Sequence, residues 1–210
     1  MKTPDRSNYI FDQEYRAAHG ITLLCGVDEA GRGPLAGPVC AAAVVLPPGV
    51  EIPGVTDSKK ISEKRREVLF EEICEKALAF GIATASVEEI EELNILQADF
   101  LAMRRALAML TVTPERILVD GNQLPPGLEN GEPLVKGDAK SASVAAASIL
   151  AKVSRDRYML ELDKQYPEYE FAKHKGYPTQ LHYEKIKAHG ISPVHRLSFL
   201  KNLSEHIKEK

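Results

Sequence analysis

Residues 26–39 read Gly-Val-Asp-Glu-Ala-Gly-Arg-Gly-Pro-Leu-Ala-Gly-Pro-Val, and this stretch decides the fold. The apolar residues 22–27 lead into it and the apolar residues 39–46 continue it, so a buried strand is predicted on each side of a glycine-rich turn. The turn is not a Walker phosphate loop, because no Gly-Lys-Ser/Thr follows it. It is not a dinucleotide-binding fingerprint either, because Pro38 leads into a β-prone segment instead of a helix. The stretch therefore predicts two strands joined by a turn whose bare backbone can approach a ligand closely.

The rest of the chain alternates predicted strands with predicted helices. Ser62 is a predicted N-cap for a helix over residues 63–80, which Gly81 ends. Further helices are predicted over residues 88–93, 95–110, 141–162 and 179–189, and further strands over residues 82–87, 116–119 and 134–135. Strands that alternate with helices favour an α/β layered domain.

The composition is that of an ordinary globular domain, with 210 residues of which 44% are hydrophobic and 27% charged. No apolar run reaches the ~18–20 residues that a membrane span needs, and residues 1–20 lack the apolar core of a signal peptide. The cysteines Cys25, Cys40 and Cys74 fit neither a disulfide framework nor a zinc pattern. The sequence therefore predicts a reduced, cytoplasmic protein without a membrane segment.

Charge is distributed unevenly along the chain. Residues 171–201 contain six Lys or Arg and a single acid, Glu184, although the whole chain has a net charge of −3. A basic segment on an acidic body can bind a polyanion at one place. A solvated basic face without a partner is an equally good interpretation of the charge alone.

Four carboxylates lie at the ends of predicted buried elements. Asp28 and Glu29 end the first predicted strand. Asp120 follows the strand over residues 116–119, and Asp138 precedes a long helix rich in small residues. Burying unpaired carboxylates is costly unless a cation neutralises them, and Mg²⁺ prefers oxygen ligands. Two such ions about 3.5–4 Å apart can stabilise the attacking and leaving oxygens of a phosphodiester displacement, so the four acids together predict a hydrolytic metal site.

Each acid alone also has a simpler interpretation. Asp120 fits a turn, Asp138 fits a helix cap, and residues 28–29 fit the start of a loop. Consecutive side chains on a regular strand face opposite ways, so the strand must twist or end at residues 28–29 if both acids serve one site. The glycines that follow make such a change of direction feasible.

Seven ordered motifs extend over roughly residues 22–200. They are residues 26–39, 57–60 (Asp-Ser-Lys-Lys), 94–96 (Asn-Ile-Leu), 119–122 (Val-Asp-Gly-Asn), 136–141 (Lys-Gly-Asp-Ala-Lys-Ser), 145–153 (Ala-Ala-Ala-Ser-Ile-Leu-Ala-Lys-Val) and 174–179 (His-Lys-Gly-Tyr-Pro-Thr). Together they resemble the motifs of bacterial ribonuclease HII, a type 2 ribonuclease H. The sister type, ribonuclease HIII, carries an extra N-terminal domain and lacks the Gly-Arg-Gly form.

The resemblance implies a ribonuclease H-like α/β fold, in which helices flank a mixed five-stranded sheet and a small helical subdomain follows. It implies an N-terminal extension over residues 1–21, a catalytic core over residues 22–165 and a basic helical subdomain over residues 166–210. It also implies an endonuclease that hydrolyses the RNA strand of RNA–DNA hybrids. The same enzyme would cut on the 5′ side of single ribonucleotides in duplex DNA and leave 3′-hydroxyl and 5′-phosphate ends.

The resemblance also assigns roles to individual residues. Two Mn²⁺ or Mg²⁺ ions are expected on four catalytic acids, Asp28, Glu29, Asp120 and Asp138. The backbone of residues 31–33 (Gly31, Arg32 and Gly33) is expected to contact the 2′-hydroxyl that distinguishes RNA from DNA. Tyr177 is similar to the family tyrosine that stacks on the sugar of the next deoxynucleotide. Further contacts to nucleic acid are expected from Lys59, Lys60, Asn94, Lys136 and Ser141.

The C-terminal region is where contacts with nucleic acid and with a sliding clamp are considered. Residues 195–199, His-Arg-Leu-Ser-Phe, resemble the family's His-Arg-Arg-Ser-Phe, with Leu197 in place of a basic residue. No glutamine-led motif with paired aromatics, the sliding-clamp tether of some relatives, is present, and no heptad indicates a dimer, so a monomer is expected.

The histidines are not spaced as zinc ligands and are expected on the nucleic-acid face or at helix ends: His174, His182, His189 and His195.

Two alternatives to this function remain. The first is a non-catalytic module that binds RNA–DNA hybrids, although a complete set of acids opposes binding of a polyanion without metal. The second is another nuclease of the same fold, such as a resolvase or transposase core. The Gly-Arg-Gly and Lys-Gly-Tyr motifs argue against the second alternative.

Overall fold

The computed structural model describes residues 6–201 of the chain. Its strands are β1 Leu24–Ala30, β2 Val39–Val45, β3 Ala79–Ala85, β4 Arg116–Asp120 and β5 Gly131–Leu134. They form one five-stranded sheet with the order β3-β2-β1-β4-β5. The first three strands are antiparallel neighbours, whereas β4 runs parallel to both β1 and β5. This arrangement confirms the predicted mixed sheet.

Helices cover both faces of the sheet. They are α1 Ser7–His19, α2 Glu63–Lys76, α3 Val87–Leu93, α4 Ile95–Ala108, α5 Gly137–Lys140, α6 Ala142–Gln165, α7 Phe171–His174 and α8 Gln180–His189. Ser62, Ser86 and Thr179 cap α2, α3 and α8 by accepting hydrogen bonds from backbone N–H groups of the first turn. None of the helices within residues 6–201 combines the length and the apolar character that crossing a bilayer requires.

Helix α6 packs against β1 and β2 at the centre of one face of the sheet. Its small residues 145–147 and Ala151 are fully buried. They allow a very close approach, since a Cβ atom built on Gly26 of β1 would lie 2.1 Å from the backbone carbon of Ser143. The small-residue face of α6 is therefore explained by tight core packing. Helix α4 covers the opposite face.

The predicted boundary between the second helix and the third strand is wrong. Helix α2 ends at Lys76, and Gly81 lies inside β3, where it pairs with Ala43 of β2. Residues 78–80 continue the apolar pattern of the helix, so the local sequence does not reveal the change. Pairing with β2 decides it, because the register places Ala79 opposite Val45.

Helix α1 has no counterpart in the sequence-based prediction. Its buried residues, Asn8 and Asp12, are polar, and both are held by hydrogen bonds. Asn8 Nδ2 donates to the Val55 carbonyl at 2.9 Å, and Asp12 Oδ2 accepts from the Ser143 N–H at 2.9 Å. Polar contacts of this kind leave no apolar periodicity in the sequence. The division of the chain at residues 21 and 165 stays a prediction. Residues 1–5 and 202–210 of the two terminal segments lie outside the described residues.

Candidate active site

Asp28 and Asp120 lie side by side where two parallel strands separate. The pairing of β1 with β4 ends at Val27 and Val119, and the two acids are the next residues on each strand. Matched residues of neighbouring strands point to the same face of a sheet, so both acids belong to the face that α6 covers. Asp28 is only 5% exposed there.

The Asp28 carboxyl is buried among like charges. Burial raises its pKa well above the usual range, and the carboxylates of Glu29 and Asp120 raise that pKa further. Its Oδ1 accepts a hydrogen bond from the Glu29 N–H at 2.7 Å, and a hydrogen bond from the Ser148 side chain also favours the charged form. The repulsion among these acids is the kind that a bound cation relieves.

Glu29 belongs to the opposite face of the sheet from Asp28, because β1 continues through both acids. Ala30 still pairs with Cys40 of β2. The strand is predicted to twist or end at residues 28–29; its pairing with β4 does end before Asp28, but its pairing with β2 continues to Ala30. Burial raises the pKa of Glu29, Arg32 lowers it, and Asp120 raises it, so Glu29 is still electrostatically linked to the cluster across the sheet edge.

Asp138 reaches the same edge from the short helix α5. Asp120 Oδ1 accepts hydrogen bonds from the N–H of Gly137 at 2.6 Å and of Asp138 at 3.4 Å, which fixes the start of α5. Burial raises the pKa of Asp138 and Asp120 adds to the rise, whereas Lys59 opposes it. Asp28, Asp120 and Asp138 thus form one electrostatic cluster at the end of the central strands.

Lys59 provides positive charge beside this cluster. Burial alone would lower its pKa, but the carboxylates of Asp138 and Asp28 outweigh burial and raise it. Lys60 lies farther out on the surface, with its Nζ 3.8 Å from Asp57. Of the two lysines in this motif, Lys59 is therefore the one coupled to the acids.

The four acids offer the donors that a hard divalent cation prefers. All of them are carboxylates, and the charges of Glu29 and Asp120 add to the rise that burial causes in the pKa of Asp28. Within residues 6–201, no three His, Cys, Asp or Glu side chains are arranged so that they could hold a metal ion as they stand. The donor chemistry fits a divalent cation, but the side-chain positions do not form a closed ligand set.

The two predicted substrate-binding segments contact each other. The N–H of Leu35, in the glycine-rich loop, donates to the carbonyl of Gly176 at 2.8 Å. Arg32 and Gly33 are exposed at the surface of that loop. The Tyr177 side chain is 37% exposed, so its ring is available to a ligand.

Other predicted nucleic-acid contacts differ in their placement. Asn94 uses its side-chain oxygen to cap the first turn of α4. Ser141 is fully buried, and its Oγ accepts a hydrogen bond from the Val144 N–H at 3.3 Å. Asn94 is exposed and Ser141 is not, and contacts of both residues with nucleic acid stay predictions. Lys136 is exposed directly before α5, which leaves it available.

The prediction for the histidines is wrong for His182 and His195, which are buried in the C-terminal part. The Ser192 N–H donates to His195 Nδ1 at 3.0 Å, and His195 Nε2 then donates to His182 Nε2 at 3.1 Å. His182 Nδ1 donates to the Tyr177 carbonyl at 3.0 Å. Burial lowers the pKa of His182 to about 3 and that of His195 to about 4, so both rings are neutral.

The basic segment 171–201 is less available to a polyanion than its charge suggests. Lys173 and Lys185 both pair with Glu170, at 2.6 and 3.0 Å. Arg196 is fully buried. The surface that phosphates can reach is therefore smaller than the six basic residues of the sequence imply.

Asp99 of α4 is a neighbour of the site that the sequence-based prediction does not include. It is 1% exposed, and neither carboxyl oxygen has a hydrogen-bond partner within the described residues. Burial raises its pKa to about 8, Glu29 contributes to the rise, and Arg32, with Nε 3.7 Å from Oδ2, opposes it. The available signal was its position between Leu96 and Met103 on the apolar face of α4.

Comparison with solved structures identifies the class. The chain matches the crystal structure of ribonuclease H2 from Pyrococcus horikoshii OT3 with a TM-score of 0.72 and 29% identity, over 90% of this chain and 100% of that chain. Bst-RNase HIII in complex with Mn²⁺ matches with a TM-score of 0.65 and 19% identity, over 89% of this chain and 69% of that chain. The fold and the carboxylate cluster define a nuclease of the ribonuclease H-like class, which confirms the predicted fold.

Sequence comparison identifies the family. The profile of the Ribonuclease HII family matches residues 25–202. The Ribonuclease HII of Marinomonas sp. (strain MWYL1) is 63% identical over 178 residues, which are 84% of this chain and 89% of that protein. This chain belongs to the ribonuclease HII family and is a ribonuclease H enzyme, an endonuclease.

Proposed function

We propose that this enzyme incises duplex DNA on the 5′ side of an embedded ribonucleotide as well as cutting the RNA strand of RNA–DNA hybrids. The cut leaves 3′-hydroxyl and 5′-phosphate ends. The observation that carries the proposal is that β1 bears Asp28 and Glu29 and leads directly into residues 31–33, of which Arg32 and Gly33 are exposed. One short segment thus contributes two of the four carboxylates for hydrolysis, and it also contributes bare backbone for reading a 2′-hydroxyl.

Two Mn²⁺ or Mg²⁺ ions would be held by four carboxylates, those of Asp28, Glu29, Asp120 and Asp138. When bound, such ions activate the attacking water and stabilise the leaving oxygen. The protein keeps the ligands in place, because Asp120 is held by the Gly137 N–H and Asp28 by the Glu29 N–H, at 2.6 and 2.7 Å. Lys59 offsets part of the negative charge and attracts a phosphate to the cluster.

Recognition of the ribonucleotide is assigned to the glycine-rich loop and Tyr177. The backbone of residues 31–33 contacts the 2′-hydroxyl, and the Tyr177 ring stacks on the sugar of the following deoxynucleotide. The hydrogen bond between Leu35 and Gly176 supports this division, because it keeps the two segments adjacent. Lys60 and Lys136 are exposed and contact phosphates.

The proposal includes a monomeric, cytoplasmic enzyme that acts without a sliding-clamp tether. The monomer is expected because the sequence has no dimerisation heptad, and the missing tether because it has no glutamine-led aromatic motif; the cytoplasmic location rests on cysteines that fit no disulfide framework. Size-exclusion chromatography with light scattering tests the monomer, since a mass near 23.1 kDa is expected.

The decisive experiment is cleavage of a labelled DNA duplex that carries one ribonucleotide, with Mg²⁺, with Mn²⁺ and with chelator. A single metal-dependent cut on the 5′ side of the ribonucleotide is expected, with no cut in an all-DNA duplex of the same sequence. Cleavage of long hybrids alone would overturn the assignment of residues 31–33 and Tyr177. Binding of the duplex without any cut would favour the hybrid-binding module instead.

A further inference from the structure

Two buried arginines hold the glycine-rich loop, and one of them also holds the segment that carries Tyr177. Arg155 of α6 is 1% exposed and Arg196 is fully buried. Neither guanidinium is paired with a carboxylate in the part of the chain that the structure describes. Burying such a group is costly unless its N–H donors are satisfied, so their hydrogen bonds identify what they hold.

Arg155 connects both segments at once. Its Nε donates to the Pro38 carbonyl at 3.0 Å and its Nη2 to the Ala36 carbonyl at 3.1 Å, both in the loop after β1. Its Nη1 donates to the Lys175 carbonyl at 3.0 Å, two residues before Tyr177. The guanidinium carbon also lies 5.6 Å from the centroid of the Tyr177 ring.

Arg196 holds the part of the loop that is assigned to the 2′-hydroxyl. Its Nη2 donates to the Gly31 carbonyl at 2.7 Å and its Nη1 to the Arg32 carbonyl at 3.1 Å. Its Nε donates to the Gly37 carbonyl at 2.8 Å, and its own N–H donates to the Leu35 carbonyl at 2.7 Å. One side chain therefore fixes the loop near both of its ends.

The geometry of a guanidinium explains why arginine occupies both positions. Its planar fork donates in several fixed directions, whereas a lysine ammonium is a point charge on a flexible stem. Three carbonyls around one plane fix the relative positions of the peptide units that carry them. A lysine could keep the charge but not this fixed spacing.

We propose that Arg155 and Arg196 are positioning residues: Arg196 fixes the 2′-hydroxyl-reading loop, Arg155 fixes the spacing between that loop and Tyr177, and together they set the preference for an RNA-to-DNA step over a continuous hybrid. The inference rests on the proposed function of the two segments. Only a substrate with a ribonucleotide followed by a deoxynucleotide uses both segments together. A change in their spacing therefore lowers cleavage of that substrate more than cleavage of a long hybrid.

Gly176 offers a way to change the spacing without altering either arginine. A Cβ atom at Gly176 would lie 2.6 Å from the Ala36 carbonyl oxygen, so Gly176→Ala acts as a wedge between the two segments. Gly190→Ala is the matched control. Gly190 also has a positive φ (78° against 81°), but a Cβ atom there would have nothing within 4 Å.

The measured quantity is the ratio of kcat/KM on a duplex with one ribonucleotide to kcat/KM on a long RNA–DNA hybrid. Gly176→Ala, Arg155→Lys and Arg196→Lys are each expected to lower this ratio by about tenfold or more, while Gly190→Ala leaves it unchanged. A loss of folded protein lowers both rates equally and does not move the ratio. A variant that fails to fold by circular dichroism is set aside, because the remaining variants test the same spacing.

The outcomes separate the inference from the proposed function. If the unmodified enzyme does not cut at the embedded ribonucleotide, the proposed function fails. If it does cut there but the folded variants keep the ratio of the unmodified enzyme, the two arginines are structural only and the inference is overturned. An equal fall of the ratio in Gly190→Ala would also overturn it, because backbone strain alone would then be sufficient.

Discussion

Asp28 and Asp120 occupy equivalent positions on two parallel strands, each one residue beyond the last matched pair, Val27 and Val119. The ladder between β1 and β4 thus stops where the carboxylates begin. The end of a parallel pair is where strands diverge and a crevice opens, so the acids combine burial with access to a ligand. The pKa of Asp28 is raised partly by Asp120 because of this alignment.

Asp120→Asn is expected to keep the fold and to lower kcat by about 10²–10³-fold. The asparagine oxygen can still accept the hydrogen bond from the Gly137 N–H, which is 2.6 Å from Oδ1 in the enzyme. The charge that a divalent cation needs is lost. Steady-state cleavage at saturating Mg²⁺ measures the effect, with Glu161→Gln as a control in an exposed ion pair with Lys164. Normal cleavage by folded Asp120→Asn would contradict the metal-ligand assignment.

Asp99→Asn is expected to stabilise the protein, and more so as the pH rises. The folded-state pKa of Asp99 is raised to about 8 by burial, so the folded protein holds a proton that the unfolded chain has lost. That difference destabilises the wild type progressively between about pH 4 and pH 8. Melting temperatures in chelator measure it, and each 1 kcal/mol corresponds to about 2–4 °C for a chain of this size.

Asp156→Asn provides the contrast for that experiment. Asp156 is also buried, but its Oδ1 accepts from Lys152 Nζ at 2.7 Å and its Oδ2 lies 3.8 Å from Arg66. Its replacement removes the partner of two cations, so the melting temperature should fall. If Asp99→Asn and Asp156→Asn both stabilise the protein, or if neither does, the missing hydrogen bonds of Asp99 do not determine its effect on stability.

His182 and His195 are expected to stay neutral down to about pH 4. Their folded-state pKa values, about 3 and about 4, are lowered by burial, whereas the unfolded chain takes up these protons near pH 6.5. They therefore contribute a loss of stability as the pH falls from about 6.5 to 4. Asp28 and Asp99 act in the opposite direction, so the clean readout is the chemical-shift titration of each ring. A midpoint near pH 6.5 for either ring would contradict the buried chain of hydrogen bonds.

Lys59→Gln is expected to weaken binding of a hybrid and to reduce the slope of log Kd against log salt by about 1. Lys59 is coupled to the acid cluster, so a phosphate placed there meets it directly. Fluorescence anisotropy without divalent metal measures the slope. Lys173→Gln is the control, because Lys173 is paired with Glu170 at 2.6 Å and should leave the slope unchanged. Equal slopes for both variants would remove Lys59 from the binding surface.

The central sheet could be predicted from the sequence because its strands are short apolar runs bounded by glycine and proline. The acids could be found because Asp28 and Asp120 directly end such runs. The start of β3 could not be predicted, since Ala79 joins the sheet through its pairing with Val45 and not through a local signal. Helix α1 was missed because its buried residues are polar.

The supporting residues of the site could not be found in the same way. Arg196 counts as a surface charge in a composition analysis, and only tertiary contacts reveal that it is buried against carbonyls 159 to 165 residues earlier in the chain. His182 and His195 are likewise defined by each other and by the backbone around Tyr177. Sequence patterns record periodicity and local turns, whereas these roles depend on which distant backbone groups need a donor.

The long separation between Arg196 and Gly31 also sets an order of events during synthesis. A nascent chain emerges from the ribosome N-terminal end first, so β1 and its acids are exposed long before residue 196 has been made. The Gly31 and Arg32 carbonyls have no guanidinium to hold them until residue 196 has left the exit tunnel. The acids of β1 are therefore made well before the glycine-rich loop beside them can take its final shape.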